Sequence, residues 1–154
     1  MSATKTPSLV WLGRWQILLS ALSFSPPFLP TLFPSKPAVA LTRTLGGAVR
    51  AVPWEQRQSA LLGASLLVNT TSLGMSGQAP LDLTLEQLEP QAVVSDLVYG
   101  PLETPLLVAA RARGNPVVGG LGMLLNQARP AFHAWFGVMP QITPALRSMV
   151  EASL

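Results

Sequence analysis

A chain of 154 residues suits one domain with a sizeable core. Its 49% apolar and 11% charged content excludes a disordered chain, and the absence of cysteine excludes disulfides, thiolate metal sites and cysteine nucleophiles. The net charge of +3 is unevenly spread: residues 1–54 hold Lys5, Arg14, Lys36, Arg43 and Arg50 with no acid, whereas residues 55–154 set five arginines against seven acids, so the basic character marks no nucleic-acid surface.

Residues 1–37 differ from the rest of the chain. Trp11 to Phe33 is apolar and broken by Pro26, Pro27 and Pro30, with Pro34 and Pro37 just beyond, and no helical or strand period survives them. Basic residues, the apolar run Ile17 to Phe24 and the small residues Ala38-Val39-Ala40 outline a secretory signal, but the prolines between run and site are misplaced for one. The run is also shorter than the ~20 residues that a bilayer needs. The expectation is a segment outside the fold, with the folded unit spanning 38–154.

From Val39 the pattern becomes regular. Ala40 to Leu45 reads as the end of a helix closed by Gly46-Gly47, Ala48 to Val52 as a short strand, and Trp54 to Leu62 as a helix. Leu66 to Val68 is a continuous apolar run, as in a strand buried on both faces, and it delivers Asn69-Thr70-Thr71-Ser72 at its end. Thr84 is placed to cap a short helix ending before Pro90. Val93 to Tyr99 reads as a strand, and Thr104-Pro105 starts a helix that Gly114 ends. Asn115 to Val118 is a further strand, a helix runs from Gly120 to Gly137, and Thr143-Pro144 opens a last helix. Strands alternating with helices predict an α/β fold with a doubly wound, mainly parallel sheet, in which ligands bind beyond the carboxyl ends of the strands. Asn69 to Ser72, Tyr99 and Gly119-Gly120 all fall at such ends.

Val117 to Gly137 carries the strongest pattern. Leu121, Leu124, Leu125, Ala128, Phe132, Trp135 and Phe136 recur at helical spacing and predict a broad buried face. Gly120, Met123 and Gln127 form a second stripe beside it, which puts an amide next to a close-approach glycine at the rim of a pocket. The single histidine, His133, projects away from that stripe and leaves no histidine-rich metal site.

Three segments, LLVNTTSLGM (66–75), SDLVYGPLETPLL (95–107) and GGLGMLLNQARPAFHAWFG (119–137), resemble the C-terminal half of shikimate dehydrogenase, in order and with matching spacing. The resemblance implies part of a Rossmann-like NADP-binding domain with C-terminal helices, in a cytoplasmic oxidoreductase of chorismate and aromatic amino acid biosynthesis. That enzyme interconverts 3-dehydroshikimate and shikimate, with no nucleic-acid partner and no membrane. By the family pattern, Asn69, Thr71, Ser72, Leu97, Gly120 and Met123 line the nicotinamide end of NADP, while Tyr99 and Gln127 hydrogen-bond the substrate. A phenol hydroxyl and an amide with both donor and acceptor suit a ligand bearing several hydroxyls.

The family's catalytic lysine and aspartate belong to an N-terminal domain with no counterpart here. The only lysines are Lys5 and Lys36, and no acid precedes Glu55. The glycine-rich phosphate loop and the Asn-Arg-Thr grip on the 2′-phosphate are missing as well. Gly119-Gly120-Leu121-Gly122 begins a late helix and does not replace that loop. The expectation is an incomplete, inactive form with no catalytic residue of its own, arising from a truncated gene or a frame change upstream of about Ala38. The alternatives are a quinate/shikimate dehydrogenase preferring NAD, or a non-catalytic partner-binding or membrane-tethered remnant. A partial sheet with exposed apolar faces is also expected to self-associate.

Overall fold

The computed structural model describes residues 8–13, 29–32 and 50–154. The described strands are β1 (Ser8–Gly13), β2 (Leu29–Leu32), β3 (Arg50–Ala51), β4 (Ala64–Thr70), β5 (Val93–Asp96) and β6 (Val117–Val118). They form one sheet in the order β3-β2-β1-β4-β5-β6, every neighbouring pair parallel. The chain therefore winds outward from β1 in one direction and from β4 in the other. The point of reversal lies between these two central strands, where doubly wound sheets open a crevice at the carboxyl ends.

The α/β class and parallel sheet match the sequence reading, but the boundary at residue 37 does not hold for β1 and β2. Both lie inside 1–37, and β1 pairs with β4 along its whole length, from Ser8 opposite Ala64 to Gly13 opposite Thr70. The stretch SLVWLG comes before the proline run that begins at Pro26, and a central parallel strand needs no alternation of apolar and polar residues. The helix end expected over Ala40 to Leu45 lies outside the described residues, as does most of the proline-broken segment.

Three helices complete the described fold: α1 (Pro105–Ala112), α2 (Gly120–Phe136) and α3 (Pro144–Glu151). Their starts obey the capping chemistry. The Thr104 and Thr143 side chains accept from the Leu107 and Leu146 amides, and a proline comes after each threonine. Gly114 and Gly137 lie just past α1 and α2 at φ of 85° and 72°, a backbone shape that costs glycine least. Among the described residues, no helix is long and apolar enough to cross a membrane.

Two expected helices are absent. Trp54 to Leu62 forms two 3-10 turns, Trp54–Gln56 and Ser59–Leu61, because so short a run gains more from sinking Ala60 and Leu61 into the core than from helical propagation. The stretch after Thr84 is likewise irregular. Leu85 and Leu88 are buried there, Leu88 bridges Leu62, and the Thr84 hydroxyl reaches Gln58 rather than a helix start. The core gathers Leu61, Leu67, Leu88, Val94 and Leu107, all essentially without exposed surface, between β4, β5 and α1.

The broad buried face expected on α2 is confined to its first turns. Only Gly120, Leu121 and Leu125 are buried, whereas Phe132, Trp135 and Phe136 are 41%, 77% and 65% exposed. The hydrophobic periodicity is real, but among the described residues nothing covers the aromatic second half of the helix. The exposed rings pack on each other instead, Phe132 and Phe136 with centroids 4.6 Å apart.

Candidate functional site

Strand register assembles the site. Asn69 lies opposite Asp96 and Ser95 opposite Val118, so β4, β5 and β6 end side by side. Of the candidate residues, Asn69 lies at the end of β4, Thr71, Ser72, Leu97 and Tyr99 on the loops after β4 and β5, and Gly120, Met123 and Gln127 on α2. The Leu97 amide donates to the Asn69 carbonyl at 2.9 Å, and the Ser76 amide donates to the Gly100 carbonyl at 2.8 Å, so the loops after β4 and β5 are joined twice through backbone.

Beneath these loops lies a buried polar cluster. Asp96 has no exposed surface, and its carboxylate accepts from the Asn69 amide at 3.0 Å, the Val98 backbone amide at 3.0 Å and the Thr104 hydroxyl at 2.7 Å. Asn69, equally buried, also accepts from the Thr71 amide and hydroxyl and donates to the Leu73 carbonyl. The Thr71 hydroxyl in turn accepts from the Leu73 amide. Strand β5 thus stops at Asp96, short of the expected Tyr99, because the side chain captures the Val98 amide that would otherwise continue the ladder.

Burial lifts the Asp96 carboxyl above the usual aspartate range, against the opposing pull of the Thr104 hydroxyl, the Val98 amide and the Asn69 amide. A folded-state value above the unfolded one means that the folded chain holds this proton more tightly. The resulting stability is complete below the unfolded value and is lost as pH rises through the folded one. Melting of the unaltered chain against Asp96→Asn is therefore expected to show a wider advantage for aspartate near about pH 4 than near about pH 7. An advantage that grows with pH would contradict the assignment.

The candidate residues divide by accessibility. Ser72, Tyr99 and Gln127 are exposed, Thr71, Leu97 and Met123 are half-buried, and Asn69 and Gly120 are buried. Asn69, expected at the nicotinamide, has its amide nitrogen and oxygen both committed inside the cluster, so its contribution is to shape the loop. Gly120, expected to let backbone approach a ligand ring, lets it approach protein: a Cβ there would overlap the Leu97 carbonyl and lie 2.7 Å from the Val98 oxygen. Glycine at this position seats α2 on the loop after β5, which carries Leu97 and Tyr99.

Tyr99 and Gly120 also border a cleft of about 280 Å³, with Leu102, Leu107 and Val117 among its apolar walls. Its polar edge consists of two ion pairs, Arg111–Glu103 at 2.7 Å and Arg147–Glu151 at 2.9 Å. Asn69, Thr71, Ser72, Leu97, Met123 and Gln127 do not line this cleft. No cluster of three or more His, Cys, Asp and Glu side chains suited to a metal ion occurs among the described residues. His133 is exposed on α2, while Arg129 donates to the Pro140 carbonyl and ties α2 to the segment before α3. Sequence reasoning missed Asp96 and the buried role of Thr104. An aspartate inside the apolar run VVSDLV, with a threonine at a helix start eight residues later, was the available signal.

No family model matches the chain. It is 56% identical over 113 residues to the NADP(+) shikimate dehydrogenase of Paramagnetospirillum magneticum, an alignment covering 73% of this chain and 41% of that enzyme. The chain belongs to the shikimate dehydrogenase family. It spans about two-fifths of the length of the curated relatives that it matches. Among solved structures, shikimate 5-dehydrogenase from Thermus thermophilus in complex with NADP(H) and shikimate superposes with a TM-score of 0.67 at 32% identity, over 97% of this chain and 54% of that one. Quinate dehydrogenase from Corynebacterium glutamicum in complex with NAD gives a TM-score of 0.77 at 25% identity, over 97% and 56% respectively. The family assignment thus rests on sequence and fold together.

Proposed function

We propose that the chain forms the nicotinamide-side and substrate-side rim of an NADP-dependent shikimate dehydrogenase, a cytoplasmic oxidoreductase acting on shikimate and 3-dehydroshikimate. In this reading Tyr99 and Gln127 hydrogen-bond the polyol carboxylate. Thr71, Ser72, Leu97 and Met123 border the nicotinamide, while Asn69 and Gly120 hold the surrounding backbone in place. The observation that carries the reading is the 56% identity to an NADP(+) shikimate dehydrogenase, together with the exposure of Ser72 and Tyr99 on the loops after β4 and β5 and of Gln127 along α2. The nicotinamide of NADP+ would accept the hydride from shikimate, and that of NADPH would give it back to 3-dehydroshikimate; this chain's own side chains bind and orient.

Hydride transfer needs cofactor and substrate held together and a group to exchange the hydroxyl proton. No lysine occurs after Lys36, and no glycine-rich phosphate loop comes after Gly13 in the sequence. The chain by itself is therefore expected to bind shikimate weakly and to show no NADP-linked oxidation of it. Gln127→Ala should weaken shikimate binding by roughly tenfold, the loss of one or two hydrogen bonds, with little change in melting because Gln127 is exposed. Calorimetric titration reads the first quantity and thermal melting the second. Turnover by the unaltered chain would mean that an acid–base group and a phosphate grip exist here in another form. Shikimate affinity untouched by Gln127→Ala would remove the substrate-side assignment.

A further inference from the structure

Asp96 is a buried carboxylate for which the proposed function has no use. It ends β5 between the two loops that carry the candidate residues, and three donors converge on it from three different segments. Asn69 belongs to the end of β4, Val98 to the loop after β5, and Thr104 to the start of α1. The Thr104 hydroxyl also accepts from the Leu107 amide at 3.3 Å, so the bond that anchors Asp96 shares its oxygen with the cap of α1.

We propose that Asp96 is a positioning residue: its carboxylate clamps the loop after β4, the loop after β5 and the start of α1 to one another, and so sets where Ser72, Leu97 and Tyr99 stand. The importance of that placement for a ligand rests on the function proposed above; the clamp does not. A carboxylate suits the task because it is acceptor-only, and all three neighbours donate. An apolar residue would leave one of the two Asn69 amide hydrogens and the Val98 amide without a partner in a region that water does not reach, so the loops would separate to recover hydration. Asparagine has nearly the same shape but one wrong end. With its oxygen turned to Asn69 and Val98, its amide nitrogen meets the Thr104 hydroxyl, which must rotate its own proton away from the bond it now makes. The backbone bonds Leu97 to Asn69 and Ser76 to Gly100 remain, so the loops are loosened rather than freed.

The test is amide hydrogen exchange on the whole chain, comparing Asp96→Asn, Thr104→Val and Thr104→Ser with Leu88→Ala. Leu88 is buried near the opposite end of β4, bridging Leu62, and serves as a control for general destabilisation. Asp96→Asn and Thr104→Val are expected to speed exchange at the Thr71, Leu73, Leu97 and Val98 amides by tenfold or more relative to the Leu67 and Val94 amides of the sheet. Thr104→Ser keeps the hydroxyl and is expected to restore protection. Leu88→Ala should not single out the loops. Loop exchange that tracks the sheet in every variant, or a serine that fails to rescue where valine damages, overturns the proposal. Shikimate titration of the same variants separates the two readings. An unaltered chain that binds no shikimate defeats the proposed function while exchange still decides the clamp. Shikimate binding that survives Asp96→Asn unweakened, in a variant whose loops exchange faster, shows that the clamp does not serve the ligand.

Discussion

Replacing Gly120 with alanine is expected to destabilise the chain by about 3 kcal/mol, at the upper end of what an added methyl costs in a packed interior. The methyl would meet the Leu97 and Val98 carbonyl groups, which are backbone and have no rotamer to change. Either α2 withdraws from the loop after β5, or that loop moves and strains the Asp96 cluster beneath it. Both routes change the spacing between Tyr99 and α2. Gly122, two residues further along the same helix, supplies the contrast. A Cβ there meets nothing within 4 Å, so Gly122→Ala should stabilise by about 0.5–1 kcal/mol through helix propensity alone. Denaturant unfolding of the two variants checks the pair. Similar effects of the same sign would mean that α2 does not sit on the Leu97 carbonyl.

Asn69→Asp is expected to cost more, on the order of 4 kcal/mol near neutral pH, the scale of an uncompensated buried charge. The substitution is isosteric, yet it turns the amide that donates to Asp96 at 3.0 Å into a second carboxylate facing the first, and it removes the bond to the Leu73 carbonyl. Both groups are without exposed surface, so water cannot relieve the repulsion. One of the two carboxyls will hold its proton well above the usual range in the folded state. Stability lost at neutral pH should accordingly return as pH falls through that raised value, since the protonated member can again donate to its neighbour. Melting temperature measured from neutral to mildly acidic pH reads this out. A variant whose deficit is the same throughout would show that Asn69 and Asp96 do not face each other.

These two positions also mark how far the sequence could be read. The alternation of apolar runs with capped helices was legible because its signals are local: Thr104-Pro105 and Thr143-Pro144 open helices, and Gly114 and Gly137 close them. The strand end at Asn69 and the helix start at Gly120 came from the same pattern, while the end of β5 falls at Asp96 rather than Tyr99. What was not legible depended on partners distant in the chain. Asn69 read as a cofactor contact because its type and place fit one, while its commitment to an aspartate 27 residues away is a matter of strand register. The aromatic half of α2 read as buried because periodicity reports a face and not what lies against it. β1 was set outside the fold because prolines nearby masked a six-residue strand that pairing with β4 makes the centre of the sheet. The Trp54 to Leu62 run read as a helix because propensity is a weak guide over so few residues.

In the proposed function, the ends of β4 and β5 and the start of α2 form one rim for shikimate. An amide-resolved NMR titration of the isotope-labelled chain with shikimate puts that rim to the test without needing turnover. Saturable shifts are expected at Tyr99, the Gln127 side-chain amide and the Leu97–Gly100 loop, and none around Leu88 and Asn115 at the far end of the sheet. Saturable shifts at Glu103, Arg111, Arg147 and Glu151 with none at Tyr99 or the Gln127 side chain, or a spectrum unchanged by shikimate, would contradict it.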